Sequence, residues 1–194
     1  MDIDSFLRDP LSRRRFFHMS GAGVGAGGAA TLLAACGDES SSLVTGPDES
    51  DQADVEILNG ALDLELQSVE AYKLAAGRMR GSVLEIGKRF LAQEQEHADG
   101  LATVIEDAGG KPNRAKASYD FPQMRTQEDA VRFVLALEND AIASYIDALP
   151  KFSQGELRAM AASILTNEAE HVAVLLDAIG MDPLSGPLVT GSVS

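Results

Sequence analysis

Four long stretches after residue 53 carry apolar residues at the period of an α-helix. Midway along each, glutamate, or glutamate with histidine, interrupts the apolar stripe. The spacing is three to four residues and never two, so these stretches read as helices and not as strands. The first, about 54–78, aligns Leu58, Leu62, Glu65, Val69, Tyr72 and Ala76. The second, about 83–108, aligns Phe90, Glu94, His97, Leu101 and Val104 and stops at Gly109-Gly110. The third begins near Thr126, where an N-cap residue is followed by acids suited to a first helical turn. It aligns Val131, Val134, Glu138, Ile142, Tyr145 and Leu149 before Pro150. The fourth starts at Ser153, which with Glu156 forms a capping-box pattern, and aligns Met160, Ile164, Glu168, His171, Leu175 and Ala178. Gly180 and Pro183 close it.

The joins within the first and second pairs of helices are short, which predicts two antiparallel hairpins. Between the pairs, Gly109 to Gln127 contains Pro112 and Pro122 and is long enough to travel the length of a bundle. The expected fold is therefore all-α, an antiparallel four-helix bundle with a long crossover between its second and third helices. The hairpins also repeat each other. Glu65 and Tyr72 recur as Glu138 and Tyr145 after 73 residues, and Glu94-Gln-Glu-His97 recurs as Glu168-Ala-Glu-His171 after 74.

A charge in the middle of an inward stripe is expensive, because a buried carboxylate needs a partner or must take up a proton. Six such residues fall at similar depth: Glu65, Glu94, His97, Glu138, Glu168 and His171. Four carboxylates together repel one another unless cations accompany them. Two divalent ions would balance four negative charges, and two imidazoles would add neutral nitrogen ligands. Glu and His three residues apart face the same way from a helix. One carboxylate from each of two helices, with Glu-x-x-His from each of the others, is a two-metal arrangement of bundle cores. Glu96 and Glu170, directly before the histidines, are turned about 100° away and belong outside that cluster. Both histidines that follow the N-terminal segment carry the motif.

Residues 1–36 read differently. Ser12-Arg13-Arg14-Arg15-Phe16-Phe17 precedes a Gly- and Ala-rich, weakly apolar stretch that ends in Leu33-Ala34-Ala35-Cys36. A basic head, a short apolar middle and small terminal residues describe a secretory signal and not a spanning helix. The arginines resemble a twin-arginine signal, and Leu-Ala-Ala-Cys resembles a lipobox that would make Cys36 the acylated first residue of the mature chain. These resemblances imply export through the twin-arginine pathway and a lipid anchor in the cell envelope, in the periplasm or on the outer face of the cytoplasmic membrane. Residues 37–53, rich in Ser, Gly and acids, are expected to be a flexible tether, with the bundle over 54–182 and a flexible tail over 183–194. A single cysteine excludes an intramolecular disulfide. The net charge of −14 argues against nucleic acid as a partner, since a phosphate backbone calls for a basic surface.

Four helices, a long second crossover and paired Glu-x-x-His motifs resemble the ferritin-like superfamily of di-iron carboxylate proteins over about 54–180, and most resemble its exported single-bundle members. The resemblance implies that Glu65 and Glu138 are single-helix ligands, that Glu94 and Glu168 bridge the metals, and that His97 and His171 cap one metal each. It also implies that Tyr72 and Tyr145 stand behind the ligands as hydrogen-bond donors to their carboxylates, with plain aromatic packing as the alternative. The implied cofactor is two metal ions, iron first, with manganese or zinc as the other choices. The implied chemistry is oxidation of Fe(II) or reduction of O2 or H2O2, as in a ferroxidase or peroxidase. The alternative function is a non-catalytic, membrane-tethered metal-binding or stress-protection protein. No cysteine-pair module is present to bind a rubredoxin-type iron, and the residues after Gly180 do not suggest a fifth helix, so a storage cage is disfavoured and a homodimer of bundles remains compatible.

Overall fold

The computed structural model describes residues 49–184 and 186–191. The signal-like segment 1–36, Cys36 and most of the expected tether lie outside the described residues. The four stripes form four helices: α1 (Glu49–Ala76), α2 (Gly81–Asp107), α3 (Gln127–Ala148) and α4 (Gly155–Ala178). Helix α1 starts ahead of the expected boundary, taking in the last residues of the segment read as tether. A 3-10 turn, Leu149–Lys151, follows α3 and accommodates Pro150.

Helix ends follow local chemistry in three cases and depart from it in one. Thr126 caps α3 with a reciprocal capping box: its side chain accepts from Asp129 N, and Asp129 accepts from the Thr126 backbone. Gly109 and Gly180, at φ of 76° and 71°, end α2 and α4 in matching Schellman turns, with Gly110 N and Met181 N donating to Ile105 O and Leu176 O. At the start of α4 the expected Ser153–Glu156 box does not form, and Gln154 is the N-cap with no side-chain bond. Ser153 instead donates from its backbone N and its hydroxyl to Asp54 of α1, at 2.9 and 2.6 Å. Asp54 is buried, and a long-range pair of hydrogen bonds has displaced the local one.

Helix α1 packs on α2, α3 packs on α4, and the hairpins meet mainly through α1 and α3, with α2 and α4 only in loose contact. The crossover runs along α1. Asn113 bonds Asn59 and Asp63 near one end, and Arg78 donates to Met124 O near the other. After α4, Gly191 lies against α3 so closely that a Cβ there would sit 2.4 Å from Asn139 O. No helix follows α4 among the described residues, and none of the described helices is long and apolar enough to cross a membrane.

The core is two apolar clusters separated along the bundle. One holds Leu58, Leu62, Leu101, Ile105, Tyr145 and Ile164, and the other Tyr72, Phe90, Val131, Val134 and Leu175. Every helix contributes to both, and on every helix the polar interruptions of its stripe fall between the two contributions. Apolar burial at either end therefore holds the polar layer at mid-height.

Candidate metal centre

That layer contains all six residues expected from the sequence. Glu65, Glu94, Glu138, Glu168 and His171 are each at most 1 % exposed, and the His97 side chain is 12 % exposed. Glu96 and Glu170 are exposed, as their offset requires, and Glu170 accepts a hydrogen bond from Asn167. Donor atoms of the six fall into two groups, each within 4.8 Å: Glu65, Glu94, His97 and Glu168, and Glu94, Glu138, Glu168 and His171. Glu94 and Glu168 belong to both.

The hydrogen bonds sort the donors further. Tyr145 donates its hydroxyl to Glu65 Oε1, and Tyr72 donates to Glu138 Oε1. The two bonds are repeat-related, and each crosses between α1 and α3. Among the described residues, the buried side-chain nitrogens and oxygens without a hydrogen-bond partner all belong to the cluster. They are Glu65 Oε2, Glu138 Oε2, both oxygens of Glu94 and of Glu168, and Nδ1 of each histidine. Each tyrosine-bound glutamate thus keeps one bare oxygen, and each shared glutamate keeps two. A buried polar atom without a partner is costly, so the set calls for a positive species at its centre.

The histidine contacts make the same point. His171 Nδ1 lies 3.1 Å from Glu94, 3.3 Å from Glu138 and 3.2 Å from Glu168. One N–H cannot serve three carboxylates well, whereas a cation between them can. His97 Nδ1 lies 3.0 Å from Glu168 and 3.5 Å from Glu65. On the far side of its ring, His171 Nε2 lies 3.1 Å from Gln93 Oε1. A proton on Nε2 satisfies that amide oxygen and leaves Nδ1 as a lone pair facing the carboxylates, the tautomer a metal ligand needs. Phe90 stacks on the same ring at 3.9 Å between centroids. Gln93 is not among the residues expected from the sequence, because a half-buried glutamine beside a ligand carries no periodic signal of its own.

Without cations, protons take their place. Burial pushes the Glu94 carboxyl up to about 8 against the pull of His171, and pushes Glu138 well above the usual carboxylate range. Burial alone would depress both imidazoles, but carboxylates outweigh it. Glu168 and Glu65 raise His97 to about 10, and Glu138, Glu168 and Glu94 raise His171 to about 12. Glu168 is held far below its ordinary value despite burial, because both imidazoles, positively charged when protonated, lie against it. Burial and then the adjacent carboxylates raise both tyrosine hydroxyls, so they remain donors.

An antiparallel bundle with a core layer of four carboxylates and two imidazoles defines a carboxylate-and-histidine helical bundle protein. The chain belongs to the ferritin-like domain family, whose pattern residues 53–181 match. No curated protein matches the sequence. Solved structures share the fold, among them the following three. A conserved hypothetical protein from Mycobacterium tuberculosis is 22 % identical, with a TM-score of 0.63 over 66 % of this chain and 97 % of that one. A dodecameric thioferritin from Bacteroides fragilis, described as bacterioferritin-related, is 24 % identical, with a TM-score of 0.60 over 66 % and 85 %. A ferritin-like, diiron-carboxylate protein from Bacillus anthracis is 19 % identical, with a TM-score of 0.61 over 69 % and 99 %.

Proposed function

We propose that the six side chains bind two metal ions, iron before manganese or zinc, and that the protein oxidises Fe(II) or reduces O2 or peroxide there. The observation that carries this reading is the set of orphaned donors, because all of them converge on one layer. Glu65 Oε2 and His97 Nδ1 would hold one ion, and Glu138 Oε2 and His171 Nδ1 the other. Glu94 and Glu168, with both oxygens bare, would span the two. Four carboxylates then balance two divalent charges without any residual buried charge. The description of the Bacillus anthracis structure as diiron-carboxylate supports iron as the first choice.

A pair of iron ions supplies one-electron steps that can be combined to reduce an oxygen species. The chain's own residues set the conditions for that chemistry. Tyr72 and Tyr145 fix one oxygen of Glu138 and Glu65, so each of these carboxylates presents its other oxygen in a single orientation. The apolar clusters above and below exclude water, which keeps the electrostatic attraction of the carboxylates for cations strong. Glu94 and Glu168 have no competing hydrogen bond to break if they change how they share their oxygens.

The sequence over 12–36 supports a setting outside the cytoplasm, with export through the twin-arginine pathway and acylation at Cys36. Metal analysis of protein recovered from the envelope fraction, followed by anaerobic Fe(II) loading and exposure to O2 or H2O2, tests the proposal. Two bound iron ions that oxidise rapidly are expected. Two tightly bound ions that neither oxidant changes would assign the protein to non-catalytic metal binding instead.

A further inference from the structure

The two halves of the cluster come from a sequence repeat, so a difference between them carries information. Gln93 precedes Glu94, and its counterpart Asn167 precedes Glu168. Gln93 reaches across from α2 to His171 of α4. Asn167 is one methylene shorter, and its amide turns to Glu170 of its own helix at 3.2 Å. Phe90, which stacks on His171, has Ile164 as its counterpart, so no ring of that kind covers His97. Nor does His97 have a counterpart of the Gln93 bond from Asn167. The His97 side chain is 12 % exposed and that of His171 only 1 %.

Building on the two-metal reading, we infer that Gln93 makes the two positions unequal, so that the ion held by Glu65 and His97 exchanges with solution while the ion held by Glu138 and His171 stays. Release of an ion requires its histidine to swing away or an incoming ligand to reach the metal. His171 is fixed on one edge by Gln93 and on one face by Phe90, and it is shut off from solvent. His97 has neither restraint, and its side chain already reaches solvent. Gln93 is thus a positioning residue acting through His171. Metal entry and the approach of an oxidant belong on the His97 side.

The test uses the full chain loaded with two equivalents of Zn(II) and mixed with an excess of a chromogenic chelator. Two phases of one equivalent each are expected, one fast and one slow. Gln93→Ala should accelerate the slow phase by about tenfold to a hundredfold, the usual effect of losing a bond to a ligand histidine, and leave the fast phase unchanged. Gln93→Glu, which keeps an acceptor oxygen, should keep the slow phase slow, a rescue that a merely space-filling role would not produce. Release of both ions in a single phase, or a slow phase unaltered by Gln93→Ala, overturns the inference and leaves the two-metal reading standing. Failure to bind two zinc ions overturns both.

Discussion

Tyr145 on α3 donates its hydroxyl to Glu65 on α1. Its counterpart Tyr72 on α1 donates to Glu138 on α3. The hairpins are thereby stitched together twice at the level of the cluster, by bonds that also decide which oxygen of each glutamate is left bare.

Tyr145→Phe removes the donor and leaves Glu65 Oε1 buried without a partner. Leaving one buried acceptor unsatisfied costs about 1–3 kcal/mol. The metal-free variant should lose that much in urea unfolding, and Tyr72→Phe should behave alike. Metal affinity should fall by about tenfold to a hundredfold, since the carboxylate loses its orientation. Unchanged affinity in both variants would reduce the tyrosines to packing residues.

The positions of these residues are legible in the sequence because the helical period and the repeat act together. Glu65, Glu94, Glu138 and Glu168 interrupt otherwise apolar stripes, and Glu-x-x-His occurs twice, so periodicity alone sets six residues at one depth. What is not legible depends on partners remote in sequence. Ser153 obeys a local capping rule, yet Asp54, 99 positions away, takes its hydrogen bonds. Gln93 resembles any helix-surface glutamine until α4 brings His171 beside it. Phe90 reads as core, and nothing in its spacing foretells a stack on an imidazole.

Glu168 contacts both histidines and belongs to both donor groups. Glu168→Ala should therefore cost more metal than loss of any ligand confined to one group. Metal content below two equivalents is expected, together with loss of the rise in melting temperature expected of the native protein on binding metal. His97→Ala should retain one ion, at the Glu138 and His171 position. Inductively coupled plasma analysis of both variants, with thermal melts at fixed metal concentration, separates these outcomes. Full stoichiometry in both would sink the six-ligand assignment.

Asp54 offers a control remote from the cluster. Its carboxylate is buried and joins α1 to the start of α4 through Ser153. Asp54→Ala strands a backbone N–H and a hydroxyl and should destabilise the bundle by about 1–3 kcal/mol. Metal stoichiometry should stay at two. A matching loss of metal would mean that the α1–α4 contact positions the cluster as well as the helix ends.

The metal-free protein should become less stable as pH rises from mildly acidic to alkaline, and metal should abolish the trend. Glu94 rises from an ordinary 4.5 to about 8 in the folded state, and His97 from 6.5 to about 10. A raised value means that the native state holds the proton more tightly than the unfolded chain. The slope of stability with pH follows the protons bound in the unfolded state minus those bound in the native state. It is therefore negative between 4.5 and 8 for Glu94, and between 6.5 and 10 for His97. Glu168, held below its ordinary 4.5, acts in the opposite sense and only on the acid side, where its contribution is lost as pH falls. Melting temperatures of chelator-treated protein should thus decline from about pH 6 to about pH 9. Metal replaces those protons and should release them on binding, so its affinity should rise over the same interval. Titration in two buffers of different ionisation enthalpy reads the proton release directly. Binding without proton release at neutral pH would show that the donors are already deprotonated before metal arrives.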